Sequence, residues 1–195
     1  MAFDNNILQR WQQAEVLLIG GSAGSFKLFF SIVKHVDVDI NKIIILVMHR
    51  KKNFFSEIEK LFSEHSRIYI KEIADKDVLQ RNTIFIAPAN YHTLIEKEGY
   101  FSLDVSDPVW YSKPSIDVTF DSAAEVFNER CVAILLSGAN QDGAEGLLKL
   151  RQAGSLTIAQ DPSEAEMAEM PRSAINLGAA ELVLSAEDIY KLIRT

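Results

Sequence analysis

AEVLLIGGSAGSF, from Ala14 to Phe26, decides how this chain is read. Val16-Leu17-Leu18-Ile19 is a short apolar run of strand formers. Gly20, Gly21 and Gly24 surround Ser22. Phe26, Leu28, Phe29, Ile32 and Val33 then recur with roughly helical spacing. The pattern predicts a strand, a tight glycine turn and a helix. Ser22 then stands at the carboxyl end of the strand and the amino end of the helix, on the edge where open α/β sheets bind ligands. N–H groups at a helix start are unpaired, and the helix dipole favours negative charge there. Gly20-x-Ser22-x-Gly24 also fits the nucleophile elbow, a sharp turn that leaves its serine exposed.

A glycine-rich first turn can instead cradle a phosphate. The parts for that are missing. There is no Gly-Lys-Ser/Thr, and Ser22 and Ser25 stand where a dinucleotide fingerprint from Gly20 needs its second and third glycines. The second strand ends at His49, where that fingerprint wants an acid for the ribose. From the turn alone, nucleophile and ligand loop remain evenly matched.

Outward from this stretch, apolar runs and helical stripes alternate. Lys42 to Met48 is a continuous, largely β-branched run, as expected of a strand buried on both faces. Asn53 can cap the next helix, with Phe54, Ile58, Leu61 and Phe62 as its stripe. Strands are expected at 67–73 and 83–87, and a hairpin over 91–105 about Glu98-Gly99. The loop 107–115 carries two prolines, and Ser115 can cap a helix running to Asn128. Val132 to Leu136 is a further buried strand, ending in Ser137-Gly-Ala-Asn-Gln-Asp-Gly143. A helix from Ala144 to Ala153 follows, then a strand at 155–159, an acidic stretch over 161–169 that is loop-like or weakly helical, and a short helix after Met170-Pro-Arg172. A strand at 181–184 and a helix at 186–193 close the chain. Strands alternating with helices imply an α/β fold in three layers: a doubly wound, mostly parallel sheet with helices on both faces, plus the small antiparallel hairpin. The 195 residues suit one domain, 15–195, preceded by a short segment, 1–14, with Ile7, Leu8 and Trp11 on one helical face.

A net charge of −7 argues against a nucleic-acid surface, which needs clustered Lys and Arg. Arg50-Lys51-Lys52 reads as a solvated turn. The single cysteine, Cys131, cannot form an intrachain disulfide and opens an apolar run, as a buried core thiol would. No apolar stretch reaches membrane-spanning length and the first residues lack a signal-peptide core, so a cytoplasmic location without membrane insertion is expected.

In a parallel sheet the carboxyl ends of the strands share one edge. Ser22, His49 and Asp142 each follow a buried strand and should open onto it. A serine hydroxyl needs a base to take its proton, usually a histidine oriented by a carboxylate. His35 and His65 end helices and fall on the opposite edge. His92 follows a strand and is the rival to His49. Asp142 has a plainer reading, as a cap for the helix of Ala144. The order Ser…His…Asp differs from the Ser…Asp…His of α/β-hydrolases. If the three act together, Ser22 Oγ should lie within or slightly beyond hydrogen-bond reach of one His49 nitrogen, with Asp142 near the other.

The chain resembles the catalytic domain of CheB, the protein-glutamate methylesterase of bacterial chemotaxis. The resemblance rests on Ile19-Gly-Gly-Ser-Ala-Gly-Ser25, Met48-His49 with Asn53-Phe-Phe-Ser56, Ile86-Ala-Pro-Ala-Asn-Tyr-His92 and Lys113-Pro-Ser-Ile-Asp-Val118. It continues through Leu135-Leu-Ser-Gly-Ala-Asn-Gln-Asp-Gly-Ala144, Ile158-Ala-Gln-Asp161 and Met170-Pro-Arg172. These run in family order over nearly the whole chain from Val16. The resemblance implies Ser22 as nucleophile, His49 as base and Asp142 as orienting carboxylate; the expectation is a serine esterase without metal or organic cofactor. It implies hydrolysis of glutamate γ-methyl esters on methyl-accepting chemotaxis receptors, and often glutamine deamidation, and it makes His92 structural. The family usually has Ser-Thr-Gly-Gly where this chain has Ser22-Ala23-Gly24-Ser25, and often a methionine where Ala139 stands. It commonly carries an amino-terminal receiver domain, for which residues 1–14 leave no room. The alternative is a non-catalytic signalling or ligand-binding module on the same fold, for which Ala23, Ser25 and Ala139 are the only support.

Overall fold

A computed structural model describes residues 3–50 and 55–195. The expected cap Asn53, the stripe residue Phe54, and Lys51 and Lys52 lie outside them. In order, the elements are α1 (Asn5–Gln13), β1 (Val16–Gly21), α2 (Phe26–His35), β2 (Ile43–Met48), α3 (Phe55–His65), β3 (Tyr69–Glu72) and β4 (Thr83–Ile86). Then come β5 (His92–Ile95), β6 (Phe101–Asp104), α4 (Ile116–Phe127), β7 (Cys131–Leu135), α5 (Ala144–Gln152), β8 (Leu156–Gln160), α6 (Glu169–Asn176), β9 (Leu182–Leu184) and α7 (Ala186–Ile193).

Seven strands form one sheet in the order β3-β4-β2-β1-β7-β8-β9, every neighbouring pair parallel. β5 and β6 form the antiparallel hairpin, with Gly99 at φ 87 in its turn. β1 sits between β2 and β7, so the strand order reverses beside it. Such a reversal opens a crevice outside the strands' carboxyl ends.

Successive strand residues point to opposite faces, and the core divides accordingly. Leu17 and Ile19 of β1 pack with Phe29, Ile32 and Val33 of α2, Ile189 and Leu192 of α7, and Trp11 of α1. Val16 and Leu18 pack on the other face with Phe120 and Ala123 of α4, Leu147 and Leu150 of α5, and Phe101 of the hairpin. Each fully buried Leu, Ile or Phe contributes roughly 1.5–3 kcal/mol relative to exposure, so these two layers hold the strand edge rigid. Cys131 is buried in the second layer.

Two local readings need correction. Arg50 is not solvated: its side chain is 5% exposed, donating to Glu72 Oε2 at 2.5 Å and to the Ala87 carbonyl at 2.8 Å. Glu72 at the end of β3 and Ala87 just after β4 supply the acceptors that hold the guanidinium inward. The helix α6 also begins at Glu169, before Met170-Pro-Arg172, with Pro171 in its first turn. First-turn N–H groups have no intrahelical acceptor, so proline loses nothing there.

Candidate active site

Ser22, His49 and Asp142 all lie at the carboxyl edge of the sheet. Ser22 follows β1, and the parallel register pairs Gly21 with Met48, so Ser22 and His49 leave neighbouring strands side by side. The His49 N–H donates to the Gly21 carbonyl at 3.2 Å, extending the ladder by one step.

The serine turn is pinned from below. The Ser22 N–H donates to the Ser137 carbonyl at 2.8 Å, and Ser25 Oγ donates to the Ser22 carbonyl at 2.5 Å. Ser137 Oγ donates to the Ala23 carbonyl at 2.8 Å. Gly24 has φ 81, and a Cβ there would meet Glu166 Cβ at 2.5 Å and Ser137 Oγ at 2.7 Å, so only glycine fits. Among the described residues, the N–H groups of Ala23 and Gly24 donate to no protein acceptor. Ser22 is half-buried beside these free donors.

His49 Nε2 lies 2.7 Å from Asp142 Oδ2. Asp142 is fully buried and also accepts from Ser115 Oγ at 2.8 Å, the Ile116 N–H at 2.8 Å and the Asp117 N–H at 3.0 Å. These are the first groups of α4, whose dipole favours an anion. Burial alone would push the Asp142 carboxyl up. The hydrogen bonds from His49, Asp117 and Ile116 outweigh it and hold the group below its ordinary value. Asp142 is therefore ionised near neutrality and can only accept. Nε2 carries the His49 proton, which leaves Nδ1 as the basic nitrogen.

Nδ1 does not meet Ser22. It lies 3.1 Å from Ser112 Oγ, and Ser22 Oγ makes no hydrogen bond among the described residues. Ser112 comes from the loop before α4 and meets His49 at Nδ1. Sequence reasoning missed it because no strand precedes it.

His92 is fully buried and fully used. Nδ1 accepts the Ser115 N–H at 3.1 Å, and Nε2 bonds the Asp107 carbonyl at 3.0 Å. Its ring holds the start of α4. Ser115 caps that helix through the Val118 N–H at 3.4 Å while also supporting Asp142. His35 and His65 turn back to the carbonyls of Ser31 and Leu61 at their helix ends. Asp117, beside Asp142, accepts from the Gly146 N–H at 2.8 Å and from Trp110 Nε1 at 3.2 Å. Burial, opposed by the Gly146 bond and reinforced by the Asp142 charge, pushes its carboxyl up to about 6. The described residues hold no cluster of His, Cys, Asp and Glu fit for a metal. No described helix is long and apolar enough to cross a membrane.

The CheB methylesterase family model matches residues 17–193. A protein of Leptospira interrogans is 38% identical over 178 residues, covering 91% of this chain and 92% of its own. The protein-glutamate methylesterase/protein-glutamine glutaminase of Symbiobacterium thermophilum is 35% identical over 91% of this chain, which spans only 49% of that longer protein. Among solved structures, the crystal structure of the Thermotoga maritima CheB methylesterase catalytic domain superposes with a TM-score of 0.87. It is 29% identical, over 93% of this chain and 98% of its own.

Proposed function

The chain belongs to the CheB methylesterase family, and from that premise we propose that it hydrolyses γ-methyl esters of glutamate on a methyl-accepting chemotaxis receptor through Ser22, His49 and Asp142. The same acyl chemistry extends to deamidation of receptor glutamines. The observation that carries this reading is the His49–Asp142 pair, 2.7 Å apart with the carboxylate fully buried, at the end of the strand beside Ser22.

Ser22 Oγ attacks the ester carbonyl and its proton passes to His49 Nδ1. Asp142 holds the Nε2–H and stabilises the imidazolium. The proton then goes to the departing methoxide, methanol leaves, and the glutamyl group stays esterified to Ser22. Water attacks that ester, returns its proton through Nδ1, and releases the glutamate carboxylate and Ser22. With a glutamine substrate ammonia departs in place of methanol.

Two serines flank His49, and the oxyanion decides between them. A single oxyanion donor supplies roughly 3–4 kcal/mol of transition-state stabilisation. The N–H groups after Ser22 are free to give it, whereas the Ser112 N–H is committed to the Val109 carbonyl at 2.9 Å. We therefore take Ser22 as nucleophile, with Ala23 and Gly24 as donors.

The test is incubation with a methylated receptor fragment, following methanol release and the mass of the glutamine-containing peptides. Methanol at a rate proportional to enzyme is expected. No release above buffer would contradict the reading and favour a non-catalytic module.

A further inference from the structure

We infer that Ser112 is a positioning residue that holds the base nitrogen of His49 and must be exchanged for Ser22 before chemistry begins. The inference rests on reading Ser22 as the nucleophile.

One nitrogen cannot serve two hydroxyls at once as base. With Nε2–H committed to Asp142, Nδ1 is the only acceptor on the ring, and Ser112 Oγ occupies it at 3.1 Å. Ser22 is left without a base partner. The Ser112 hydroxyl has a second acceptor, the Trp110 carbonyl at 3.4 Å. It can turn its proton there and release Nδ1 without leaving a donor unpaired.

The backbone that carries Ser112 suits this role. Val109 and Ser112 exchange N–H···O bonds of 3.2 and 2.9 Å across a two-residue turn. Both residues at its tip have positive φ, Trp110 at 48 and Tyr111 at 59. Asn-Gly is the pair that accepts this turn readily; two aromatic residues there are strained. The strained turn is held by contacts of Trp110. Trp110 Nε1 donates to Asp117 Oδ2 at 3.2 Å, and Asn140 Nδ2 donates to the Trp110 carbonyl at 3.0 Å. Asp117 and Asn140 both adjoin Asp142, so the turn is clamped to the loop that orients the base.

The turn also lines a groove beside the base. A groove of about 450 Å³ runs past His49 and is lined by Asn90, Tyr111, Ser112 and Lys113 among others. Tyr111 is fully exposed at its rim. A side chain seated in this groove lies against both Ser112 and His49.

The experiment follows adduct formation by a small fluorophosphonate, using intact-mass and peptide-mapping spectrometry on the full chain. The parent should label on Ser22. Ser112→Ala should label roughly two- to ten-fold faster, the range one net hydrogen bond commands. Ser112→Thr, which restores the hydroxyl, should bring the rate back down. A residue that merely supports His49 would give slower labelling when removed. Equal or slower labelling of Ser22 in Ser112→Ala overturns the exchange and leaves the nucleophile standing. An adduct on Ser112 in Ser22→Ala overturns both.

Discussion

His49 and Asp142 leave β2 and β7, the two strands that flank β1, and their side chains meet at 2.7 Å. The pair therefore bridges the end of β1, beside the turn that carries Ser22. Long-range register, more than local sequence, builds the candidate site, and each part of it can be perturbed separately.

Replacing the carboxylate tests tautomer control. Asp142→Asn keeps an oxygen for the α4 N–H groups and should fold, with a lower melting temperature from weaker bonds to Ser115, Ile116 and Asp117. Its amide no longer fixes the proton on Nε2, so kcat should fall by about 10⁴-fold. Esterase activity within ten-fold of the parent would show that Asp142 is only a helix anchor.

Replacing Gly24 tests the turn. Gly24→Ala must hold φ 81 with a Cβ 2.5 Å from Glu166 Cβ. A loss of about 2 kcal/mol in urea unfolding is expected, from left-handed strain and displacement of Glu166. Turnover should fall further than stability, because the Ala23 and Gly24 N–H groups would be re-aimed. An unchanged kcat in a destabilised variant would remove those groups as oxyanion donors.

Acid titration separates the two neighbouring carboxyls. Asp117 sits at about 6, above its ordinary 3.8. Its protonated form is favoured by folding, so its contribution is fully present below 3.8 and is lost as pH rises through 6. Asp142 is shifted the other way, and its contribution is lost as pH falls through its depressed value. Unfolding free energies measured between pH 4 and 7 should lose the Asp117 component in Asp117→Asn, leaving that variant more sensitive to acid than the parent. Parallel curves for the two proteins would contradict this assignment.

The fold was legible because its signals are local. Ile43 to Met48 and Cys131 to Leu135 are unbroken apolar runs, and all are buried. That His49 and Asp142 share one edge was legible because His49 directly follows such a run and Asp142 sits in the loop that ends the other. Ser112 was not: its turn sets Trp110 and Tyr111 where sequence rules look for Asn-Gly, so neither the turn nor its approach to His49 left a signal. Arg50 misled for a related reason. A charge beside two lysines reads as solvated, and only the packing of β3 and β4 supplies Glu72 and the Ala87 carbonyl.

Residues that act as one unit give non-additive losses. Ser22→Ala and His49→Ala should each remove most turnover, and the double variant should be slower than either by less than about ten-fold. Multiplicative losses in the double variant would mean that the two act in separate steps.

The proposed chemistry stands or falls with Ser22 as the nucleophile of a glutamate methylesterase. Methanol release from a methylated receptor fragment, compared between the parent and Ser22→Ala at equal folded concentration, tests it most directly. A loss of about 10⁴-fold or more is predicted. Release by Ser22→Ala within a few-fold of the parent would contradict it.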